Sequence, residues 1–468
     1  MATKDGYLDF KRKDINYRDV NERVQDFEEI IVPNGDYELK RQAARCMGCD
    51  IPFCFALGCP VQNHIPEIND SILRKDYKAA YEKLTIKNPF PEITGRICPA
   101  LCEYSCSLSI TMEPVTIKQL ELYAIEKAFQ LGLVNIPLKE KNGKTVGIIG
   151  SGPAGLAAAN ELTAQGFQVT VYEKKEKPGG LLRYGIPNYK LPKSVVDRRL
   201  KVLEEAGVKF LVRTEVGKDI TLDEVRYNHD VVLISMGSGQ PRDLNVPGRD
   251  IDGVHLALEF LGQYNHIEGE SKINASGKDV LVIGGGDTGS DCIGTARRQG
   301  AKNITQIEIM PQPYQWDGKH NPEWPNYPRY NRVSSSHEEG CVRDFNVNTK
   351  YFVHQDGKLK GAMCSRVNWV KKEDGSMNME EIEGSEFFIK AELILIAMGF
   401  LHLEHLPMLE ELGIEYDRRG NIIEASVADL KGKGIFVCGD ALSGASLVVR
   451  SINSGLRAAE EIVSYLLG

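Results

Sequence analysis

Twice in this 468-residue chain a short apolar run leads into a glycine cluster that opens a helical stretch, and this repeat constrains the fold more than any other feature. The first copy is Val146–Ile149, then Gly150-Ser151-Gly152-Pro153-Ala154-Gly155, then Leu156–Gln165. The second is Val280–Ile283 followed by Gly284-Gly285-Gly286-Asp287-Thr288-Gly289. Strand, glycine loop and helix in that order predict βαβ units and a parallel sheet covered by helices. In such a loop the first glycine permits the tight turn, the second lets backbone N–H groups approach a pyrophosphate, and the third allows close helix–strand packing. The helix N-terminus then offers its positive dipole end to the phosphates.

Each copy continues into a strand that ends on an acid. Gln168–Tyr172 leads to Glu173, and Asn303–Ile309 carries Glu308, both where a carboxylate accepts bonds from a ribose diol. Gly150, Gly152, Pro153, Ala154, Gly155 and Glu173 therefore form one candidate dinucleotide site. Gly284, Gly286, Asp287, Thr288 and Glu308 form the other, although Asp287 and Asp291 give its helix an acidic start. The bland alternative for either is an ordinary turn between strand and helix. At Glu308 a carboxylate bonds the free 2′-hydroxyl of NADH and repels the 2′-phosphate of NADPH, so NADH is the expected donor. Arg297 and Arg298, late in the second helix, oppose that preference if either turns toward the ribose; otherwise they are solvated surface charges.

The second constraint is cysteine placement. Seven of the 11 cysteines fall between Cys46 and Cys106. Their spacing is Cys46-x2-Cys49-x4-Cys54-x4-Cys59-Pro60, then Cys98-Pro99-x2-Cys102-x3-Cys106. A disulfide scaffold is small and secreted, and this chain is neither, so the cluster points to metal or redox chemistry in a reducing compartment such as the cytoplasm. Thiolates at short spacing are the ligands of iron–sulfur clusters, and a Cys-Pro that serves a second cluster occurs in two-cluster ferredoxins. Zinc is the alternative, because paired Cys-x2-Cys also suits a tetrahedral site. Cys292, Cys341, Cys364 and Cys438 are isolated and expected to be structural. His64, His229 and His337 are expected to be surface or hydrogen-bonded groups rather than catalytic ones. The net charge of −8 gives no footprint for nucleic acid or an anionic membrane. Met1 to Asp14 is polar, unlike a secretory leader, and no apolar run approaches the roughly 18 residues that span a bilayer.

Four segments are expected. Residues 1–143 read as a helical domain around whatever the cysteines bind, with apolar residues at helical spacing over Ile68–Leu84 and Ile117–Leu131 and no alternating strand. Leu138–Lys144 reads as a linker. Residues 144–275 and 391–468 are expected to form one dinucleotide domain and 276–390 the other, with the last strand at Ile435–Cys438 and a closing helix over Leu447–Leu467.

Gly179-Gly180 through Gly185-Ile186-Pro187, Ser235-Met236-Gly237, Ala397-Met398-Gly399 and Cys438-Gly439-Asp440-Ala441 together resemble the flavoprotein reductases built from two dinucleotide domains, the disulfide-reductase type of α/β fold. The resemblance implies that FAD occupies the first site and that Gly180, Leu181, Gly237, Gly439, Asp440, Ser446, Leu447 and Val448 complete it. Asp440 would reach the ribityl chain, and the helix after Ser446 would point its N-terminus at the flavin ring.

Cys46-Met-Gly-Cys-Asp-Ile-Pro-Phe-Cys54, Phe90-Pro-Glu-Ile-Thr-Gly-Arg-Ile-Cys-Pro99 and Val115-Thr-Ile-Lys-Gln-Leu-Glu121 resemble the glutamate synthase small-subunit family, and more distantly the N-terminal part of dihydropyrimidine dehydrogenase. Gln306-Ile-Glu-Ile-Met-Pro311 and Ser446-Leu-Val-Val-Arg-Ser-Ile452 extend the likeness over nearly the whole chain. The resemblance implies two [4Fe–4S] clusters with interleaved ligands: Cys46, Cys49, Cys54 and Cys106 for one, and Cys59, Cys98, Cys102 and Glu121 for the other. The spacing Cys54-x4-Cys59 departs from the family's usual three intervening residues. The resemblance further implies hydride transfer from NADH or NADPH to FAD, and then electrons through the clusters to a large subunit. That partner would carry FMN, an iron–sulfur centre and a glutamine amidotransferase, and would make glutamate from glutamine and 2-oxoglutarate. An NAD(P)H–ferredoxin or electron-bifurcating oxidoreductase is the alternative within the same chemistry, and a zinc scaffold the alternative outside it.

Overall fold

The computed structural model describes residues 5–263 and 273–468; the first four residues of the polar start lie outside them. The N-terminal unit is built mainly from Asp36–Ala44, Ile65–Leu73, Tyr77–Thr85, Pro91–Ile97 and Ile117–Gln130. Their apolar faces meet around Ile68, Ile72, Leu84, Phe90, Ile93, Leu120 and Ile125, each 1% exposed or less. The run Ile68–Leu84 is not one helix. Lys75 takes a left-handed φ of 62°, and Asp76 caps the next helix by accepting the Ala79 N–H at 3.0 Å, so the periodicity continues through a corner. A short antiparallel pair, Asn16–Tyr17 with Ile31–Val32, also appears where no strand was expected.

Two five-stranded parallel sheets follow. The first runs Ile435–Val437, Val231–Ile234, Thr145–Ile149, Gln168–Glu173, Lys209–Val212 in spatial order. The second runs Val342–Phe345, Asn303–Glu308, Asp279–Ile283, Leu393–Ile396, Val254–Leu256. Central strands buried on both faces read as near-continuous apolar runs, as in Val231–Ile234 and Leu393–Ile396. The pairing corrects the expected boundaries at 275 and 390. Val254–Leu256 and Leu393–Ile396 hydrogen-bond within the second sheet, the latter directly beside Asp279–Ile283. Gln240–Pro241 pairs with Phe400–His402 where the chain leaves and re-enters the first unit. An antiparallel sheet of Val347–Gln355, Lys358–Lys371, Met377–Glu381 and Phe387–Lys390 is inserted into the second unit.

The closing helix Val448–Leu467 lies on the glycine-loop helix Pro153–Ala164, so closely that a Cβ on Gly455 would meet the Ala154 carbonyl at 2.1 Å. One continuous core joins the N-terminal helices to the helices of the first sheet. A buried bidentate ion pair, Arg199 to Glu92 at 2.6 and 3.0 Å, crosses the same junction. No helix among the described residues is long and apolar enough to cross a membrane.

Candidate functional site

The two glycine loops share one construction. Gly150 and Gly284 both take positive φ, 101° and 124°, at the strand ends. A Cβ on Gly155 would sit 2.2 Å from the Gly150 carbonyl and one on Gly289 2.4 Å from that of Gly284, so both helices need glycine there to approach their strands. Gly152 and Gly286 are extended N-caps whose missing Cβ faces open space. Those are the positions where a phosphate can approach helix N–H groups. Buried side chains hold each loop from behind. The Ser235 hydroxyl donates to the Gly150 carbonyl at 2.9 Å, and Gln306 Nε2 to that of Gly284 at 2.8 Å.

The two acids also take equivalent places. Glu173 accepts the Ser151 N–H at 3.2 Å, the Ser151 hydroxyl and the Lys175 N–H at 2.7 Å. Glu308 accepts the Gly285 N–H at 2.5 Å and the Met310 N–H at 3.3 Å. Each carboxylate thus lies against the second residue of its loop.

Arg298 departs from both alternatives, ribose contact and solvated surface charge. Arg298 turns away from the loop into the fold, where its guanidinium binds Glu339 at 2.6 and 3.0 Å and lies 3.7 Å over the Tyr189 ring. Glu339 also receives Arg23 at 2.8 Å, and the Arg298 and Glu339 side chains are fully buried. Arg297, half-buried, lies against Gly340 at the far end of the helix from the glycine loop. Arg298→Ala would leave a buried carboxylate short of a partner, so chemical denaturation should show a loss of about 3–5 kcal/mol with NADH/NADPH preference unchanged.

Asp440 follows the strand Ile435–Val437. Burial raises its carboxyl, against the lowering bonds from Ser451 and Ser446, whose hydroxyls both donate to Oδ1 at 2.8 Å. Gly439 could carry no side chain, since its Cβ would meet that of Ala154 at 2.7 Å. Gly180 abuts Gly152, with a hypothetical Cβ 2.8 Å from its Cα, while Leu181 is 40% exposed and Gly237 faces open space. His229 and His337 are hydrogen-bonded, to Tyr172 at 3.0 Å and Gln306 at 3.1 Å. His64 lies beside the Phe55 ring.

The seven cysteines separate into two sets. Cys46, Cys49, Cys54 and Cys106 line one small, mainly apolar cavity with Ile65, Leu108 and Ile117. Burial pushes the Cys54 thiol far up, helped by neighbouring Cys106, Cys46 and Cys49, and pushes Cys106 up to about 11. Cys59, Cys98 and Cys102 instead have one another and Glu121 as electrostatic neighbours. Burial raises Cys59 to about 12 and Cys102 well above its ordinary value. Burial also pushes the Glu121 carboxyl up to about 7, against the lowering bond that Asn63 Nδ2 donates at 2.8 Å. Burial thus opposes ionisation of these thiols and of the carboxyl, and among the described residues no three His, Cys, Asp or Glu side chains are arranged to hold a single metal ion.

The wide spacing before Cys59 has a physical solution. Cys54–Gly58 forms one turn in which the Cys59 N–H bonds the Cys54 carbonyl five residues back, at 2.9 Å, so the extra residue is absorbed as a bulge. Gly58 is required there, because a Cβ would meet the Cys102 Cα at 2.7 Å. Backbone N–H groups of Asn63 and Ala100 point at the sulfurs of Cys59 and Cys98, at 3.5 and 3.4 Å.

One cleft of about 760 Å³ brings together parts of the second loop, the closing helix and the cysteine unit. Its wall includes Cys98 to Ala100 from the cysteine unit, Ser446 to Val449 at the start of the closing helix, and Asp287 and Thr288 from the second loop. Sequence reasoning missed Lys190, which lines the same cleft and pairs with Asp291 at 2.5 Å across the two dinucleotide units. A basic residue just after the Gly185-Ile186-Pro187 segment was the available signal.

Residues 144–455 match the pyridine nucleotide-disulphide oxidoreductase family, and 23–133 match dihydropyrimidine dehydrogenase domain II, 4Fe-4S cluster. The chain is 43% identical over 479 residues to the glutamate synthase [NADPH] small chain of Mycobacterium tuberculosis, covering all of this chain and 97% of that one. The chain belongs to the glutamate synthase small-chain family. The Escherichia coli small chain of glutamate synthase [NADPH] is 34% identical over 98% of both chains. The glutamate synthase [NADH] of Schizosaccharomyces pombe is 42% identical over 98% of this chain, which spans 22% of that longer protein. Among solved structures, FprA of Mycobacterium tuberculosis matches with a TM-score of 0.56 at 18% identity, over 69% of this chain and 84% of that one, a likeness of fold. As a glutamate synthase small-chain family member, the protein is an NAD(P)H-dependent oxidoreductase with FAD and a [4Fe–4S] cluster. The zinc-scaffold reading falls with that assignment.

Proposed function

We propose that this chain is the electron-input subunit of a glutamate synthase, with FAD on the first glycine loop, NADH on the second and two [4Fe–4S] clusters on the two cysteine sets. One observation carries the reading: the second loop, the closing-helix N-terminus and the cysteine unit all open onto one cleft. Gly150, Gly152, Pro153, Ala154, Gly155 and Glu173 hold the FAD pyrophosphate and ribose. Gly180, Leu181, Gly237, Gly439 and Asp440 line its path, with Ser446, Leu447 and Val448 at the ring. Gly284, Gly286, Asp287, Thr288 and Glu308 hold the nicotinamide coenzyme. FAD held by these residues would supply hydride acceptance from the nicotinamide and release of electrons one at a time, as iron–sulfur centres require.

The chain's own residues set direction. Cys98 belongs to the second cysteine set and also lines the cleft, so Cys59, Cys98, Cys102 and Glu121 form the entry relay. Cys46, Cys49, Cys54 and Cys106 line a separate cavity that shares no wall residue with the cleft, and form the exit relay. The partner is a large subunit with FMN and a glutamine amidotransferase site, in the cytoplasm. Co-purification with tagged protein from its own cells tests this assignment. Recovery of such a subunit supports it; stoichiometric recovery of a ferredoxin-dependent or bifurcating partner overturns it.

The relatives' names divide between NADH and NADPH, so the donor rests on Glu308. Steady-state kinetics with both coenzymes should favour NADH in kcat/KM. Glu308→Ala should lower that ratio by about tenfold to a hundredfold, since the lost bond and the lost repulsion are together on the order of 1.5–3 kcal/mol. Equal efficiency in the unaltered protein would remove the role given to Glu308.

A further inference from the structure

Between Cys59 and the helix Ile65–Leu73 the chain makes a tight turn, closed by the Gln62 N–H on the Cys59 carbonyl at 2.9 Å. Gln62 takes a left-handed φ of 55°, a conformation that costs a residue with a side chain and that gathers at functional sites. Its consequence is local: the next N–H, that of Asn63, is aimed at the Cys59 sulfur at 3.5 Å.

The Asn63 side chain is 1% exposed and does not cap the helix that follows it. Its Nδ2 donates instead to Glu121 Oε1 at 2.8 Å, and its own Oδ1 has no partner among the described residues. A buried carboxamide left half unsatisfied is a poor choice for packing alone, and an apolar pair in place of Asn63 and Glu121 would avoid that cost. Both of its donors are directed at one set of groups: Cys59 through the backbone and Glu121 through the side chain.

We infer that Asn63 is the positioning residue of the second cluster, holding one oxygen of Glu121 so that the other is left to ligate iron, while its backbone N–H draws charge from the Cys59 thiolate. The inference rests on the reading of Glu121 as the eighth ligand. Outer partners of this kind orient ligands and tune the centre they surround. A hydrogen bond to a ligand oxygen or sulfur stabilises the more negative, reduced state, so it raises the cluster's potential.

The test uses full-length protein reconstituted anaerobically, with iron counted and each cluster followed by EPR through a redox titration. Glu121→Ala should change the signal of one cluster. Asn63→Leu should retain its iron yet shift the g-values of that same cluster and move its midpoint more negative, while Asn63→Gln, which keeps an amide donor, should recover part of the shift. In a Glu121→Ala background, Asn63→Leu should add nothing. If Glu121→Ala alters one cluster and Asn63→Leu alters neither, Asn63 has no positioning role and the ligand assignment stands. If Glu121→Ala alters neither, the ligand assignment falls and the inference with it. Should Asn63→Leu not accumulate, Asn63→Ala is held to the same outcomes.

Discussion

Cys102→Ser is expected to remove one of two iron–sulfur clusters and spare the other. Cys102 is buried, and its electrostatic neighbours are Glu121, Cys59, Glu103 and Cys98, with none of Cys46, Cys49, Cys54 or Cys106 among them. A serine there offers a poorer ligand in a site where burial already opposes loss of the proton. Iron analysis should fall from about eight atoms per chain to about four, with the signal of the cluster on Cys46, Cys49, Cys54 and Cys106 intact. FAD content should be unchanged, because the cysteine unit supplies none of the first glycine loop. NADH should still bleach the flavin, while passage of electrons to an external acceptor through the clusters should be abolished. Loss of all iron would show that the two sets are not independent sites.

Gly152→Val has a different signature. Gly152 is extended, with a φ of −68°, and a Cβ there meets no protein atom within 4 Å. A Cβ at this position therefore meets open space in the folded chain, and the valine side chain fills the space through which a pyrophosphate would approach the Pro153–Ala164 helix. Two lost charge-assisted bonds of about 1.5–3 kcal/mol each correspond to a 10²- to 10⁴-fold weaker hold on FAD. The purified variant should be folded by circular dichroism, iron-replete and nearly colourless in flavin. Gly155→Val serves as contrast, since its side chain would collide with the Gly150 carbonyl and the Ser235 hydroxyl and should impair folding itself. A Gly152→Val protein with full flavin would place the pyrophosphate elsewhere.

The readable and unreadable parts of this fold divide along physical lines. The glycine loops were legible because backbone geometry and close helix approach admit few residues at Gly150, Gly155, Gly284 and Gly289, and an acid follows at a set distance. The break near Lys75 was not, because a left-handed residue that is not glycine leaves no mark in composition. Periodicity alone could not show that Arg298 meets Glu339, a partner 41 positions away that is brought close only by packing of the second unit. The domain boundaries failed for the same reason. Leu393–Ile396 is apolar enough for either sheet, and only pairing with Asp279–Ile283 decides its place. The strand Val347–Gln355 left no clean alternation, because its buried residues are Val347, Thr349 and Phe352 and its register shifts between Thr349 and Tyr351. The division of the cysteines came from family resemblance, since spacing by itself does not say that Cys106 joins Cys46, Cys49 and Cys54.

In this reading one cleft joins the second glycine loop, the start of the closing helix and the cysteine set that includes Cys98, and the other cysteine set lies in a separate cavity beyond it. Anaerobic titration of the reconstituted protein with NADH, followed together by visible absorbance and EPR, tests it most directly. One FAD should bleach, with about eight irons and two distinguishable [4Fe–4S] signals that develop from the same NADH without added mediator. Flavin that bleaches while both clusters stay oxidised and silent, or a chain that holds iron for only one cluster, would contradict it.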